Sequence, residues 1–343
     1  MSTWAITGGS GFLGHHLARE LVGAGHAVRT LDVESLDAEP ERGVETLVGD
    51  VRDPERASRL CEGAEVLVHA AAALPIRRSK QEIWSINVEG TEVLLDAAVA
   101  HGVRRVVYIS TTAVYGIPDT SPITEETPTD PLGAYGVSKA AAEEACFSAV
   151  ARGIEVVALR PKTFLGPGRL GIFQILFQWI REGRRIYLIG SGHNRYQLLA
   201  VDDLVAAISL AGTRDVSGGI FNLGAKEFGT VRADLHALVD HARSPSRLVG
   251  LPARPAQTVL RALELARLSP LAEWHYKTAG KDSYVDVTRA EQALGWTPRH
   301  SNVDTLIAAY DWFLANEAMG GDVGTTHRTA WSQRALALLR RLS

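Results

Sequence analysis

The tightest constraint on the fold is a strand that runs directly into a glycine turn and out into a helix. Residues 4–7 form a short apolar strand, Gly8-Gly9-Ser10-Gly11-Phe12-Leu13-Gly14 the turn, and Leu13, Leu17 and Leu21 then recur every four residues. Such a turn lets backbone approach an anion, and the following helix offers that anion its positive N-terminal end. Gly8, Gly11 and Gly14 meet the demands of dinucleotide binding: a tight turn, approach to a pyrophosphate and close helix packing. Their G-x-x-G-x-x-G order differs from the G-x-G-x-x-G fingerprint.

A second strand over 27–31 ends at Asp32, about 20 residues beyond the turn, where an acid can bind the ribose hydroxyls of an adenosine. The same acid repels a 2′-phosphate, so the expected cofactor is NAD and not NADP. Strand and helix continue to alternate. Residues 44–48 precede Asp50 and Val51, with Asp50 placed at a strand end to meet the adenine amino group. Residues 66–69 lead into Ala70 to Ala73, small enough for a cofactor to lie against the backbone. His69 ends an apolar strand with no acid nearby in sequence, which favours a structural role. A long helix is expected over 82–101, a strand over 105–109, a hydroxyl-rich segment at Ser110-Thr111-Thr112, a helix over 134–151 and a sixth strand over 155–159.

In the 134–151 helix Tyr135 and Lys139 stand four residues apart and share a face. A cation beside a phenol favours the phenolate, which makes Tyr135 a candidate general acid/base. Beyond Arg160 the alternation loosens into a turn-rich loop over 160–169 and short mixed elements: helices over 172–180, 201–210, 255–269 and 302–316, and strands over 186–189 and 220–223. The fold class is therefore α/β, a Rossmann-type doubly wound parallel sheet with a smaller C-terminal mixed region. Residues 1–165 read as the NAD-binding region and 166–318 as mainly substrate-binding. Residues 319–343 read as a Gly-rich linker and an amphipathic helix, for which docking on protein is a plainer role than peripheral contact with a membrane.

Thirty-six basic against 39 acidic residues leave a formal charge of −3, without the basic excess that nucleic acid requires. Two distant cysteines suggest neither disulfides nor a metal cluster and fit a reducing cytoplasm, and no signal peptide or membrane span is read.

Together these segments resemble the extended short-chain dehydrogenases/reductases of the NAD-dependent epimerase/dehydratase group, over about residues 3–315. The resemblance rests on Thr7 to Gly14, Asp50-Val51, His69-Ala70-Ala71, Asn87-Val88-Glu89-Gly90-Thr91, Ser110 to Gly116, Tyr135 to Lys139 and Arg160-Pro161, in that order. It implies NAD held by Gly8, Gly11, Phe12, Leu13, Gly14, Asp32, Asp50, Val51, His69, Ala70, Ala71, Asn87, Tyr135 and Lys139. It further implies Tyr135 as acid/base, Lys139 lowering its pKa, and Thr111 holding the substrate oxygen. The group's dehydratases carry an Asp-Glu pair after that threonine; Thr112 and Ala113 stand there instead, which argues against dehydration.

The leading expectation is a nucleotide-sugar 4-epimerase. Arg77, Thr112, Lys162, Thr163, Arg169 and Arg195 are the candidate substrate residues, with Thr163 where many relatives place a diphosphate-binding Asn and Tyr196 where they tend to place an Arg. The alternative is a 3β-hydroxysteroid dehydrogenase-like enzyme acting on a lipid or other secondary alcohol; a non-catalytic dinucleotide sensor fits less well. The resemblance also implies a homodimer that pairs the 82–101 and 134–151 helices of two copies.

Overall fold

The structure, a computed structural model, describes residues 2–34, 43–74, 79–168, 173–216, 218–265 and 279–317. Its centre is a seven-stranded parallel sheet built from β1 (Thr3–Thr7), β2 (Ala27–Asp32), β3 (Val44–Val48), β4 (Val66–His69), β5 (Arg105–Ile109), β6 (Glu155–Pro161) and, from the C-terminal part, Gly219–Leu223. The order across the sheet is β3-β2-β1-β4-β5-β6 followed by Gly219–Leu223. It reverses direction between β1 and β4, and in open parallel sheets the ligand crevice lies at such a switch point, outside the carboxyl ends of the strands.

The strands are apolar along their length because both faces are covered: all five residues of β5 are buried. Over one face pack Leu13, Leu17 and Leu21 of α1 (Phe12–Gly23), together with Leu204 and Ile208 of the helix Val201–Thr213. Over the other lie Leu94, Leu95 and Ala98 of the helix Gly90–Ala100, with Ala142 and Cys146 of the helix Gly133–Ser148. A third cluster, with Phe177, Leu188, Leu238, Tyr310 and Phe313, holds the mixed C-terminal elements together. Both cysteines are free and buried.

Two sequence expectations change, and a third is met only in part within the described residues. The helix expected over 82–101 is three pieces: Lys80–Trp84, a π-helical turn Ser85–Glu89, and Gly90–Ala100. The Thr91 hydroxyl donates to the Asn87 carbonyl at 2.6 Å within that turn, a side-chain bond that competes with the helical ladder. The sixth strand runs on through Arg160 and Pro161, which had read as loop, because it pairs with Gly219–Leu223 as far as Pro161 and Leu223. The helix expected over 255–269 is described over Ala253–Leu265. Residues 319–343, including the expected amphipathic helix, lie outside the described residues, as do Arg77 and Arg169.

Candidate active site

The glycine turn is shaped by contacts that leave no room for side chains. Gly8 has φ +74°, and a Cβ there would lie 3.0 Å from the Ala71 backbone N, so the ends of β1 and β4 touch at the switch point. A Cβ on Gly14 would sit 2.1 Å from the Gly8 carbonyl oxygen, and one on Gly9 2.3 Å from Thr30 Cβ. Gly11 caps α1 without offering a side-chain oxygen to the first turn. The Phe12 ring stacks on Phe164 and the Leu13 side chain enters the core. The Asp32 carboxylate accepts from Ser10 N at 3.0 Å and Glu34 N at 3.3 Å, which fixes it beside the turn. This cradle fits a dinucleotide: bare backbone, an uncapped helix start and an acid at the end of β2.

Asp50, just past β3, is paired within the chain. Its two oxygens accept from Arg52 Nε at 2.9 Å and Nη2 at 2.6 Å, so its carboxylate is already paired. Val51 is buried against Gly90, where a Cβ would come within 2.7 Å of Val51 Cγ2.

A chain of buried hydrogen bonds joins the glycine turn to the helix of Tyr135. Thr7 Oγ1 accepts from Ala71 N at 3.1 Å and lies 2.7 Å from His69 Nδ1. His69 Nε2 lies 2.9 Å from the Thr91 hydroxyl, which itself donates to the Asn87 carbonyl. Since that hydroxyl's proton is used, Nε2 carries the ring proton and the Thr7 hydroxyl donates to Nδ1. The Asn87 side chain accepts from Ala73 N at 2.6 Å and donates to Ala73 O and Ser138 Oγ, at 3.2 and 2.9 Å. Ser138 Oγ donates to Tyr135 O at 2.9 Å. Burial, with the Lys139 charge adding to it, pushes His69 down to about 3, so the ring is neutral and structural. His69 and Asn87 thus spend their side chains on protein partners, holding the Ala70 to Ala73 segment and the Tyr135 helix in place.

Lys139 is buried, its Nζ 4.0 Å from the centre of the Tyr108 ring. Burial lowers it to about 7, against the opposing pull of Cys146 and Glu143. The same Tyr108 phenol is held well above its ordinary value, chiefly by burial and further by Tyr135 among its neighbours. Tyr135 precedes Lys139 by one turn of the same helix, Gly133–Ser148, so the two residues share a face. Thr111, just past β5, accepts from Ala113 N at 3.1 Å and starts the short turn Thr112–Tyr115, with Thr112 half-buried. One turn beyond Lys139, Glu143 forms a buried ion pair with Arg160 of β6. Arg160 also lies over the Tyr115 ring at 4.7 Å, so the Arg-Pro motif braces the site from below.

The substrate candidates divide. Lys162 is buried and donates to Ser283 Oγ at 2.7 Å, with its Nζ 4.9 Å from the centre of the Tyr196 ring; burial lowers it to about 7. Thr163 Oγ1 lies 2.9 Å from the Tyr196 hydroxyl, so these four residues form one cluster. Arg195 adjoins it through backbone, Ser283 N donating to Arg195 O at 2.9 Å, while its guanidinium lies over the rings of Phe228 and Tyr284, at 4.6 and 4.5 Å. Tyr108, Ser138 and Ser283 were not singled out from the sequence as functional, and Tyr196 entered only as the residue standing where relatives tend to place an Arg. Of these, Ser138 had a signal, since it lies between Tyr135 and Lys139 within one helical turn.

Residues 4–224 match the model of the NAD dependent epimerase/dehydratase family, and the chain belongs to that family: it is an NAD-dependent enzyme. It is 36% identical over 342 residues to the protein y4nG of Sinorhizobium fredii, named as uncharacterized, covering 99% of this chain and 86% of that one. It is 29% identical over 328 residues to the UDP-glucose 4-epimerase of Mycolicibacterium smegmatis, covering 90% and 97%. The structure of MoeE5 in complex with UDP-glucose and NAD superposes with a TM-score of 0.75 at 26% identity, covering 92% of this chain and all of the other. No described helix is long and apolar enough to cross a membrane, and no three described His, Cys, Asp or Glu side chains are grouped to hold a metal.

Proposed function

We propose that the chain is a nucleotide-sugar 4-epimerase, with Tyr135 as the acid/base. The observation that carries this reading is the placement of Tyr135 and the buried Lys139 one turn apart on a helix tied by the Thr7-His69-Thr91-Asn87-Ser138 chain to the glycine turn. The named relative and MoeE5 support the sugar-nucleotide class.

Gly8, Gly11, Gly14 and Asp32 would hold NAD through backbone and ribose contacts, with Ala70 and Ala71 against its other side. When bound, NAD accepts and returns a hydride. The chain's own residues handle the proton. The Tyr135 phenolate takes the proton of the sugar's C4 hydroxyl as that carbon is oxidised to a ketone, and returns it to the same oxygen on reduction. The Lys139 ammonium favours the phenolate, and the Thr111 hydroxyl orients the substrate oxygen. Thr112 and Ala113 carry no ionisable group, so they supply no acid/base pair for eliminating water.

The helices Lys80–Trp84 and Gly133–Ser148 leave Trp84 and Val137 exposed at 43% and 42%, and we assign this face to a second copy of the chain in a cytoplasmic homodimer. Light scattering that finds a monomer at working concentration would remove that assignment. The reaction is tested by incubating the purified protein with UDP-glucose: UDP-galactose is expected without added cofactor. Conversion that requires stoichiometric NAD or NADH would mark a net dehydrogenase or reductase instead.

A further inference from the structure

Lys162 is a buried basic residue at the carboxyl edge. Arg160, two residues earlier on the same strand, has Glu143 as its partner. Among the described residues no carboxylate pairs with Lys162, and Ser283 Oγ is the hydrogen-bond acceptor that its three-donor ammonium meets. The Tyr196 ring face attracts the ammonium without neutralising it. A buried ammonium of this kind is costly unless it gives up its proton or something brings the opposite charge.

Position narrows what that something is. β5 and β6 are in register at Ile109 and Leu159, Ser110 N donates to Leu159 O at 2.8 Å, and Lys162 N donates to Leu223 O at 2.8 Å. Carried on, that register sets Thr111 level with Pro161, and Lys162 is the next residue along the neighbouring strand end. Thr111 is the residue assigned to the oxygen on the reacting carbon. In a hexose the diphosphate hangs from C1, across the ring from C4, whereas the C6 group hangs from C5, next to C4. An anion that reaches Lys162 from a sugar held at Thr111 is then a C6 carboxylate.

We propose that Lys162 is the counter-ion for a sugar carboxylate next to the reacting carbon, so that the enzyme selects nucleotide-activated uronic acids over neutral hexoses. This rests on the nucleotide-sugar reading above and deepens it. The lowered basicity of Lys162 agrees with a site that regains its proton when the anion arrives.

The test is calorimetric titration of the NAD-loaded protein with UDP-glucuronate, UDP-glucose and UDP, for the native chain, Lys162→Met and Ser283→Ala. UDP-glucuronate is expected to bind the native chain at least about tenfold tighter than UDP-glucose. Lys162→Met removes that preference while UDP binds as before, and Ser283→Ala, which frees the ammonium from its anchor, reduces the preference in part. Should Lys162→Met not fold, loss of preference in Ser283→Ala carries the test, and an undiminished preference there overturns the proposal. An unchanged preference in Lys162→Met overturns it, as does a loss of UDP binding as large as the loss of UDP-glucuronate binding, which would place the diphosphate at Lys162. Native protein that binds all three ligands without favouring UDP-glucuronate overturns the Lys162 assignment alone. Native protein that binds none of them overturns the nucleotide-sugar reading with it.

Discussion

On one side of the sheet's carboxyl edge, Thr7, His69, Thr91, Asn87 and Ser138 answer one another in sequence, and the last bond ends on the backbone of Tyr135. On the other side, past β6, Lys162 meets a single hydroxyl and an aromatic face. Two lysines of similar burial and similarly lowered basicity thus stand in different company. Lys139 has Glu143 one helical turn away, whose charge pulls against its desolvation, while for Lys162 burial acts unopposed. The first region is organised before any ligand arrives, because the chemistry there is the same for every substrate. The second is left for a ligand to complete, and there substrates are told apart.

The largest expected effect tests the first region. Tyr135→Phe keeps the ring and removes the proton carrier, so turnover should fall by about 10²- to 10⁴-fold while NAD binding, measured by fluorescence titration, stays near native. A parallel loss of NAD binding would mean that the phenol serves as scaffold, and the contrast between the two regions would collapse.

Asn87→Ala comes next. It strips the partners from Ala73 N, Ala73 O and Ser138 Oγ, all buried or nearly so. Leaving such groups unsatisfied should cost about 2–3 kcal/mol in denaturant unfolding, with NAD affinity falling as the Ala70 to Ala73 wall loosens. A silent Asn87→Ala would show that water replaces the side chain and that the network is not what holds the wall.

Much of the first region was legible in the sequence because its geometry is local. The glycines at 8, 11 and 14, Asp32 at the end of the next strand and the four-residue step from Tyr135 to Lys139 are short spacings that backbone geometry converts directly into placement. The parallel sheet was legible too, from apolar runs such as 105–109 that have no polar face to spare. The second region was not. Lys162 and Ser283 are 121 residues apart, and the bridge between Tyr196 and Ser283 that unites the cluster has no local signature. Arg195 illustrates the limit: the rings of Phe228 and Tyr284 under its guanidinium lie 33 and 89 residues further along the chain. The pairing of Asp50 with Arg52, two residues on, is visible in sequence only if both side chains are allowed to turn back on the strand end.

Asp32→Ala gives a smaller effect and sharpens what the first region recognises. With the acid removed, repulsion of a 2′-phosphate disappears together with the ribose contact, so the ratio of NADP to NAD affinity should rise by about tenfold or more in calorimetry. Native protein that already binds NADP as tightly as NAD would show that Asp32, fastened to Ser10 N and Glu34 N, is a turn residue and not a selector.

The smallest expected effect bears on the second region and has a sign that a merely structural lysine would not give. Burial lowers Lys162 from 10.5 in its ordinary state to about 7 in the fold. Between those values the unfolded chain holds a proton that the folded one lacks, so stability is full above about pH 10.5 and is lost as pH falls through about 7. Lys139 contributes a loss in the same window. Lys162→Met keeps an unbranched apolar stem and drops the titration. The ligand-free variant should therefore melt a few degrees above the native protein at pH 7, with the gap closing toward pH 10, while the part of the slope owed to Lys139 remains. UDP-glucuronate should reverse the order at pH 7, raising the native melting temperature more than that of the variant, because only the native site gains an ion pair. A variant that melts below the native protein without ligand at pH 7 would show that Lys162 already has what it needs inside the fold, and the difference between the two buried lysines would lose its functional meaning.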